Sequence, residues 1–305
     1  MKAAGLKNNI FKIVCAVSSV SILLIVAGML VTLLVESLPA FREFGFFNFL
    51  TSSEWNYSQD IYGARRPIFG TLLTTALALI VSFPVAIGTA IFLTELCPEK
   101  LKGSIGTALE LLSAIPSIIY GMWGLFVLAP FLEESVQPLI KKTLGNLPLI
   151  GSFFVGPLTG GVSLFTTSMI LAVMILPFMT SISREAFNQV PPILKESSYA
   201  LGATRWETMS KVVMPFTRLA VTGGATIAMG RALGETMAVA YVIGNRHAAL
   251  DSIFSPYVTV TSVMANEFNE ASGIKLSVLF ALALILFMAN FLVLSLSKKL
   301  LGSRS

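Results

Sequence analysis

Residues 196–215 read ESSYALGATRWETMSKVVMP, and this polar stretch separates two long apolar runs of the chain. It is rich in helix-forming residues, with the small residues Ser197, Ser198 and Gly202 on one side and charged residues such as Glu196 and Arg205 elsewhere. Small side chains allow another protein to approach a helix backbone closely. The pattern therefore favours a docking helix. The alternative is an amphipathic helix at the membrane surface that has no partner.

The composition identifies a membrane protein. Hydrophobic residues make up 55% and charged residues 12% of the 305-residue chain, whereas soluble proteins carry about 25% charged residues. Mean hydropathy is +0.81. Six apolar runs reach the ~20 residues that a helix needs to cross a bilayer, and their continuity excludes the alternating strands of a membrane barrel. We predict an all-α, polytopic membrane protein with six transmembrane helices, near residues 11–35, 67–94, 105–132, 162–182, 218–243 and 274–297.

The positions of lysine and arginine predict the orientation, because positive charge is retained on the cytoplasmic side. With both termini inside, roughly two thirds of these residues are cytoplasmic. Residues 184–217, which we call the docking loop, are then cytoplasmic too. Residues 1–10 and 301–305 are short cytoplasmic ends of one membrane domain, 11–300. The net charge of +5 forms no patch, which argues against nucleic-acid binding.

Two segments on the predicted outer side are long enough to form surfaces of their own. Residues 36–66 combine aromatic and charged side chains, as membrane interfaces do. Residues 133–161 carry apolar side chains that could lie flat on the bilayer, namely Leu139, Ile140, Leu144, Leu147 and Ile150. Both segments could receive an extracytoplasmic partner, or they could simply cover the helices.

The prolines and the cysteines indicate structural features, namely helix kinks and free thiols. Kinks are expected at the prolines inside or near the ends of spans, which are Pro84, Pro116, Pro130 and Pro177. Cys15 and Cys97 are too far apart to suggest a disulfide or a metal clip, so we expect free thiols. The first apolar run is too long for a signal peptide, so we expect it to be the first span.

Span 5 contains a candidate ion pair. Arg231 and Glu235 are four residues apart, hence neighbours on one helix face, and Arg231 is near the middle of its span. A charge at that depth normally faces a partner or a water-filled path. Guanidinium matches the oxygens of phosphate or carboxylate, so an anion crossing the bundle would meet Arg231 while Glu235 neutralises it at rest. The alternative is a buried salt bridge that only orients the helix. Glu110 is a more ordinary case, a pairing group near the interface.

Residue patterns for catalysis are missing from the sequence. The single histidine, His247, has Asp251 four residues later, which is too little for a metal site or a catalytic triad. The chain contains no Gly-Lys dipeptide and therefore no P-loop for ATP. We expect no metal and no cofactor, and energy from ATP would have to enter through another subunit at the docking loop.

The docking loop resembles a motif of a known family. Its spacing, E-S-S-x3-G-x9-V-x-M-P, is similar to the E-A-A-x3-G-x9-I-x-L-P loop of ABC importer permeases, with serines for the two alanines and Val212 and Met214 for Ile and Leu. Residues 231–245, RALGETMAVAYVIGN, resemble the fifth span of the C-type permease subunit of bacterial phosphate importers. Length, order of spans and the large first outer segment extend the resemblance over most of the chain.

The resemblance implies a type I importer permease fold and a non-enzymatic subunit of the cell inner membrane. Partners implied are a dimer of ATP-binding subunits, a sister permease, an extracytoplasmic phosphate-binding protein, phosphate and membrane lipid. It assigns an anion role to Arg231 and Glu235. It assigns ATPase coupling to Glu196, Ser197, Ser198, Gly202, Ala203 and Thr204.

Two other classes of function are the alternatives. A secondary anion transporter would do without an ATPase, but it would leave the docking loop without a purpose and would be expected to show internal repeats. An intramembrane enzyme conflicts with the shortage of His, Cys and Asp in the spans. Charge alone does not separate phosphate from a similar oxyanion such as sulfate.

Overall fold

The computed structural model of the protein describes residues 2–148, 151–156 and 159–302, and its regular structure is almost entirely helical. The α-helices are α1 (Lys2–Phe44), α2 (Phe46–Thr51), α3 (Arg65–Ile91), α4 (Glu99–Ala114), α5 (Ser117–Trp123), α6 (Ala129–Phe131), α7 (Gln137–Leu144), α8 (Leu164–Asn188), α9 (Pro192–Ala200), α10 (Arg205–Thr208), α11 (Met214–Leu233), α12 (Met237–Val242), α13 (Val260–Glu267) and α14 (Gly273–Gly302). Strands β1 (Trp55–Asn56) and β2 (Ile61–Tyr62) form a small antiparallel hairpin.

Short π and 3-10 turns extend several of these helices. The π-helical turns are Phe92–Leu96, Gly124–Leu128, Leu132–Val136 and Met209–Val213, and the 3-10 turns are Gly151–Phe154 and Phe268–Glu270. The predictions for Ile150 and for the last residues of the tail, 303–305, lie outside the described residues.

Five helices of the described chain are long and apolar enough to cross a membrane: Phe11–Phe44, Arg65–Leu96, Leu164–Asn188, Arg205–Leu233 and Gly273–Lys299. A bent pair, Glu99–Ala114 with Ser117–Leu144, makes a sixth if it counts as one span. The all-α, polytopic fold is therefore confirmed.

The predicted third span, 105–132, is sharply bent at Pro116, where the sequence predicted a kink. Its two parts meet at an angle of 92°. Ile115, between them, has an extended backbone (ψ 130°), and Pro116 follows. Proline disfavours helical geometry in the residue before it and has no N–H for the helix ladder, so the helix ends and restarts there. Pro84 and Pro177, by contrast, lie inside the continuous helices α3 and α8.

The predicted fifth span, 218–243, is also interrupted. Helix α11 ends at Leu233, and α12 begins only at Met237. Gly234 closes the last turn and is a weak helix former. The carbonyl oxygen of Glu235, freed by the break, accepts a 2.7 Å hydrogen bond from the Thr261 hydroxyl. The bond stabilises the interruption.

Helix α8 is the centre of the bundle, with α3, α4 and α11 packed around it. Its buried face combines apolar residues such as Ile175 with hydroxyl residues. The hydroxyls of Thr167, Ser168 and Thr180 donate to carbonyls four residues earlier, so they are satisfied without leaving the helix. Helix α1 runs along α14.

The outer segments have more helix than the sequence indicated. Helix α1 continues to Phe44, and the rest of residues 36–66 folds back as α2 and the hairpin. Aromatic side chains hold this region together, and Trp55 lies edge-on to Tyr62 with ring centroids 5.1 Å apart. In the second segment, Leu139, Leu144 and Leu147 are exposed. Their contact with lipid stays a prediction.

Candidate functional site

The docking loop forms a helix, a tight turn and a second helix. Helix α9 ends at Ala200, and Gly202 follows with φ of +85°. The Ala203 amide donates to the Ser198 carbonyl (3.2 Å), which is a bond typical of a glycine-terminated helix. Thr204 then caps α10, since its hydroxyl accepts from the Glu207 amide while the Glu207 carboxylate accepts from the Thr204 amide.

This geometry corrects the predicted position of Gly202 on a helix face. The sequence placed Gly202 on a helix face with the serines, for close approach by a partner. In the structure it lies beyond the helix end, in a left-handed conformation that favours glycine. A Cβ atom at this position would have nothing within 4 Å in this chain. The local turn alone is enough to favour glycine at this position.

The six predicted coupling residues lie in the second half of α9 and in the turn that follows it, and they differ in exposure. Glu196, Ser197, Gly202 and Thr204 are exposed, whereas Ser198 and Ala203 are half-buried. The Ser198 hydroxyl lies 2.9 Å from the Thr208 hydroxyl, so this serine joins α9 to α10.

Sequence reasoning missed the apolar side chains of the docking loop. Leu201 is 89% exposed and Trp206 is 67% exposed, and Ile193 and Tyr199 are exposed as well. Large apolar side chains clustered on an otherwise polar loop are typical of a protein-binding surface. The signal was present in the sequence, because these residues interrupt a polar stretch.

An ion pair joins the docking loop to the end of α3. Lys195 Nζ lies 2.6 Å from Glu95 Oε1, and both side chains are mostly buried. Arg205 Nη1 also donates to the Glu95 carbonyl oxygen at 3.3 Å. Glu95 was not among the predicted site residues. Its only sequence signal was an isolated acid at the end of an apolar run.

The predicted Arg231–Glu235 pair does not form. Because α11 ends at Leu233, the two residues do not share a helix face, and no ion pair joins them among those of the described chain. Glu235 Oε1 accepts from the Ala238 amide (3.4 Å), at the start of α12. Arg231 lies in the last turn of α11 and is exposed. Its Cζ atom is 6.0 Å from the centroid of the Phe178 ring. The C-terminal end of a helix carries a partial negative charge, so this position stabilises the positive charge of Arg231.

Glu110 is a pairing group, as predicted. Its Oε1 lies 3.3 Å from Arg184 Nη2, and this ion pair ties α4 to α8. A Cβ at Gly106 would meet the same arginine, so the glycine leaves room for it. Both Cys15 and Cys97 are free, as predicted.

His247 pairs with Glu267 and not with Asp251. Glu267 is buried, accepts from the Tyr57 hydroxyl (2.9 Å), and lies 3.3 Å from His247 Nε2 and 3.2 Å from Lys275 Nζ. Burial alone would raise the pKa of Glu267, but hydrogen bonds from His247, Tyr57 and Lys275 outweigh it and the pKa is lowered. Burial and Glu267 raise the pKa of Tyr57 to about 12. The cluster ties the β-hairpin to α13 and α14.

No group of His, Cys, Asp and Glu in the described residues is arranged to hold a metal.

The fold and the docking loop define a class of membrane transport subunit, and comparison with known proteins agrees. Residues 86–302 match the family model described as binding-protein-dependent transport system inner membrane component. The chain belongs to this family.

The most similar curated relatives include phosphate transport system permease proteins PstC. The chain is 48% identical to that of Mesorhizobium japonicum (97% of this chain, 90% of the relative) and 49% identical to that of Pasteurella multocida (93% and 88%). The protein from Haemophilus influenzae is 46% identical (95% and 92%).

Solved structures share the fold at low sequence identity. The inward-facing MetNI methionine ABC transporter has a TM-score of 0.56 at 16% identity and covers 78% of this chain and 94% of its own. A bacterial alginate ABC transporter in complex with alginate pentasaccharide-bound periplasmic protein has a TM-score of 0.57 at 18% identity (87% and 86%). These likenesses establish the fold alone, a polytopic bundle of helices.

Proposed function

We propose that this chain is a permease subunit of an ATP-driven ABC importer that moves inorganic phosphate across the cytoplasmic membrane. The observation that carries the proposal is the docking loop, with exposed Leu201 and Trp206 beside the capped turn at Gly202. A transporter driven only by an ion gradient has no use for such a surface. The names of the relatives support phosphate as the substrate.

The subunit works with proteins that supply energy, substrate and the other half of the path. A cytoplasmic dimer of ATP-binding subunits takes the docking loop, with Glu196, Ser197, Ser198, Gly202, Ala203 and Thr204 at the contact. A sister permease completes the membrane path, and an extracytoplasmic binding protein delivers phosphate. Both termini and the docking loop are cytoplasmic, and ATP is hydrolysed in the separate subunits.

Movement of the docking loop is transmitted to the membrane helices through two side-chain contacts and one continuous helical segment. Lys195 and Arg205 both bind the end of α3 at Glu95, and α10 continues through a π turn into α11. Closure of the ATPase dimer therefore pulls on α3 and α11 together. A groove between these two helices, about 490 Å³, is lined by residues that include Phe83 and Thr226.

Arg231 and Glu235 keep separate roles in this proposal. The exposed guanidinium of Arg231 binds the oxyanion by parallel hydrogen bonds. Glu235 sits in the break between α11 and α12, where it can move with the break. Without a resting ion pair, Arg231 is available to the anion from the start.

The test measures uptake of labelled phosphate in cells that lack every other phosphate importer. Uptake should require this chain, the ATP-binding subunits and the binding protein together, and labelled sulfate should not replace phosphate. Leu201→Asp with Trp206→Asp should abolish co-purification of the ATPase, while Leu139→Asp, a change in an exposed apolar residue of the outer segment, should not. Uptake that persists after ATP depletion and stops when the ion gradient is collapsed would show a secondary transporter instead.

A further inference from the structure

A cavity of about 290 Å³ lies at the first turn of α3. Its walls include Arg65, Arg66 and Phe69 of α3 and Leu250 and Tyr257 of the loop between α12 and α13. Helix α3 is 27 residues long, or roughly 40 Å at the rise of an α-helix, and its far end leads to Glu95 at the docking loop. The cavity is therefore at the opposite end of the bundle from the docking loop.

The cavity concentrates positive charge without a counterion. No carboxylate in the described part of the chain forms an ion pair with Arg65 or Arg66. The first turn of α3 carries no acidic residue, and the start of a helix is itself positive. Lys275, at the same end of the molecule, differs because Glu267 neutralises it. The arginine charges remain available to an anion.

Arg66 and Tyr257 are held in position by the protein. Arg66 Nη1 donates a 2.8 Å hydrogen bond to the His247 carbonyl oxygen, which leaves other guanidinium donors free for a ligand. The Tyr257 amide donates to the Ile243 carbonyl (2.8 Å), and the Tyr257 carbonyl accepts from the Arg246 amide (3.2 Å). Binding groups that are fixed in advance lose little freedom when a ligand arrives.

Tyr257 provides a hydroxyl donor beside the arginines. The residue is only 3% exposed, and no side chain of the described residues hydrogen-bonds to its hydroxyl. Burial raises the pKa of this phenol, while the charges of Arg66 and Arg65, which line the same cavity, lower it. Tyr257 thus lines the cavity and carries a hydroxyl that no side chain of the described residues binds.

We propose that this cavity is an outer binding site for a tetrahedral oxyanion, held by the guanidinium groups of Arg65 and Arg66 and the hydroxyl of Tyr257. The fork of each guanidinium fits two oxygens of such an anion. Phe69 and Leu250 add apolar walls beside the arginines. A carboxylate on a docked protein would meet exposed Arg65 at the rim and leave the buried hydroxyl unused, so a small anion fits better.

A second groove lies further along α3. Phe69, Ile80 and Phe83 fall on one face of α3, and the last two line the larger groove shared with Thr226 and Met229 of α11. The inference rests on the proposed function for the identity of the anion as phosphate, which would bind first at the outer site and then move along α3.

Chemical protection tests the site independently of transport. The assembled complex in lipid nanodiscs is treated with phenylglyoxal, which modifies arginine, and the modified peptides are quantified by mass spectrometry. Orthophosphate should slow modification of Arg65 and Arg66 about fivefold at four times its dissociation constant, relative to chloride at equal ionic strength. The matched control is Arg246, an exposed arginine of the same region that does not line the cavity, and its rate should not change.

The second part of the test is the variant Tyr257→Phe, which removes the hydroxyl oxygen and keeps the packing of the aromatic ring. It should raise the phosphate concentration needed for protection about tenfold, as expected for one hydrogen bond to a charged group. Uptake should show the same shift in half-saturating phosphate when the binding protein is saturating. Tyr241→Phe, at an exposed tyrosine away from the cavity, should leave both unchanged.

The outcomes separate this site from the proposed function. Equal modification rates in phosphate, sulfate and chloride at Arg65 and Arg66 would overturn the outer site, even if phosphate is imported. Protection that appears only when the soluble binding protein is added would also overturn it, because the arginines would then bind a protein carboxylate. Protection by sulfate in a complex that imports no phosphate would support the site and contradict the proposed substrate.

Discussion

Lys195 and Glu95 are a hundred residues apart in sequence, yet Lys195 Nζ lies 2.6 Å from Glu95 Oε1. The pair connects the docking loop to α3 across the end of the bundle. Because α3 lines both the groove at α11 and the arginine cavity, this contact links the surface proposed to receive the ATPase with the proposed path of the anion.

Breaking this ion pair should uncouple ATP hydrolysis from uptake. Lys195→Ala leaves Glu95 partly buried without its partner, and we expect a loss of stability of about 1 kcal/mol and more ATP hydrolysed per phosphate imported. The exchange of both residues, Glu95→Lys with Lys195→Glu, should restore part of the coupling. The control is Lys102→Ala, which breaks the exposed pair with Glu99 on the same side. Equal behaviour of the two alanine variants would contradict a mechanical role.

Gly202 should be replaceable by asparagine but not by a branched or long side chain. The left-handed conformation is tolerated by asparagine, whereas valine or leucine there costs more than about 1 kcal/mol. We expect Gly202→Asn to retain most uptake and Gly202→Leu to lose it, with insertion in the membrane unchanged. If the asparagine variant fails as completely as the leucine variant, close approach of the ATPase and not the turn dictates the glycine.

Arg231→Lys should reduce uptake per assembled complex about tenfold or more, because lysine keeps the charge and loses the fork of donors. Glu235→Gln should have a much smaller effect, since no ion pair depends on its charge. Labelled phosphate uptake and the amount of assembled complex are measured in parallel. Arg218→Lys, at an exposed arginine of the same helix, is the control. Unchanged uptake in Arg231→Lys would remove this residue from the path.

The buried Glu267 should make the outer hairpin sensitive to acid. Its pKa in the folded protein is below the ordinary value of 4.5. Its contribution to stability is therefore complete above that value and is lost as pH falls below 4.5 through the lowered pKa. Glu267→Gln should remove this dependence and destabilise the hairpin by about 1–3 kcal/mol.

Hydrogen exchange of residues 55–62, followed by mass spectrometry across this pH range, measures the effect. The neighbouring exposed carboxylate Glu270 gives the matched variant, Glu270→Gln, which should behave like the unchanged protein. An acid response that survives in Glu267→Gln would show that another group controls the hairpin.

The predicted orientation can be checked with single cysteines at Thr204 and Asp60, both exposed. With Cys15 and Cys97 replaced by serine, an impermeant thiol reagent should label Asp60→Cys in intact cells and Thr204→Cys only in inverted vesicles. Labelling of both from one side would reverse the assignment of one segment.

Continuous apolar runs predicted four of the spans well, because their helices are unbroken. The other two are interrupted for local reasons that a hydropathy average does not detect, although a kink at Pro116 was expected. One bend follows from the geometry that Pro116 imposes on Ile115, and the other from the weak helix at Gly234. The spacing rule for Arg231 and Glu235 failed with the helix on which it depended.

The docking loop was predicted from its motif, but its contacts were not. Glu95 with Lys195, and Glu267 with His247, join segments far apart in sequence, and a single sequence carries no signal for such pairs. Leu201 and Trp206 were overlooked for a different reason. Apolar residues are usually assigned to a core, and here they lie on the surface.

Two π-helical turns lie at the docking loop: α3 ends in Phe92–Leu96, and Met209–Val213 joins α10 to α11. Such a turn holds about one residue more than an α turn. Deleting one residue within 209–213 would restore an α turn and keep the two flanking helices in their present rotational alignment. The same deletion one turn later would rotate the rest of α11 by about 100° and carry Arg231 to another face. One residue can therefore be removed at the joint between α10 and α11 without rotating the helices, whereas the number of residues beyond that joint is fixed.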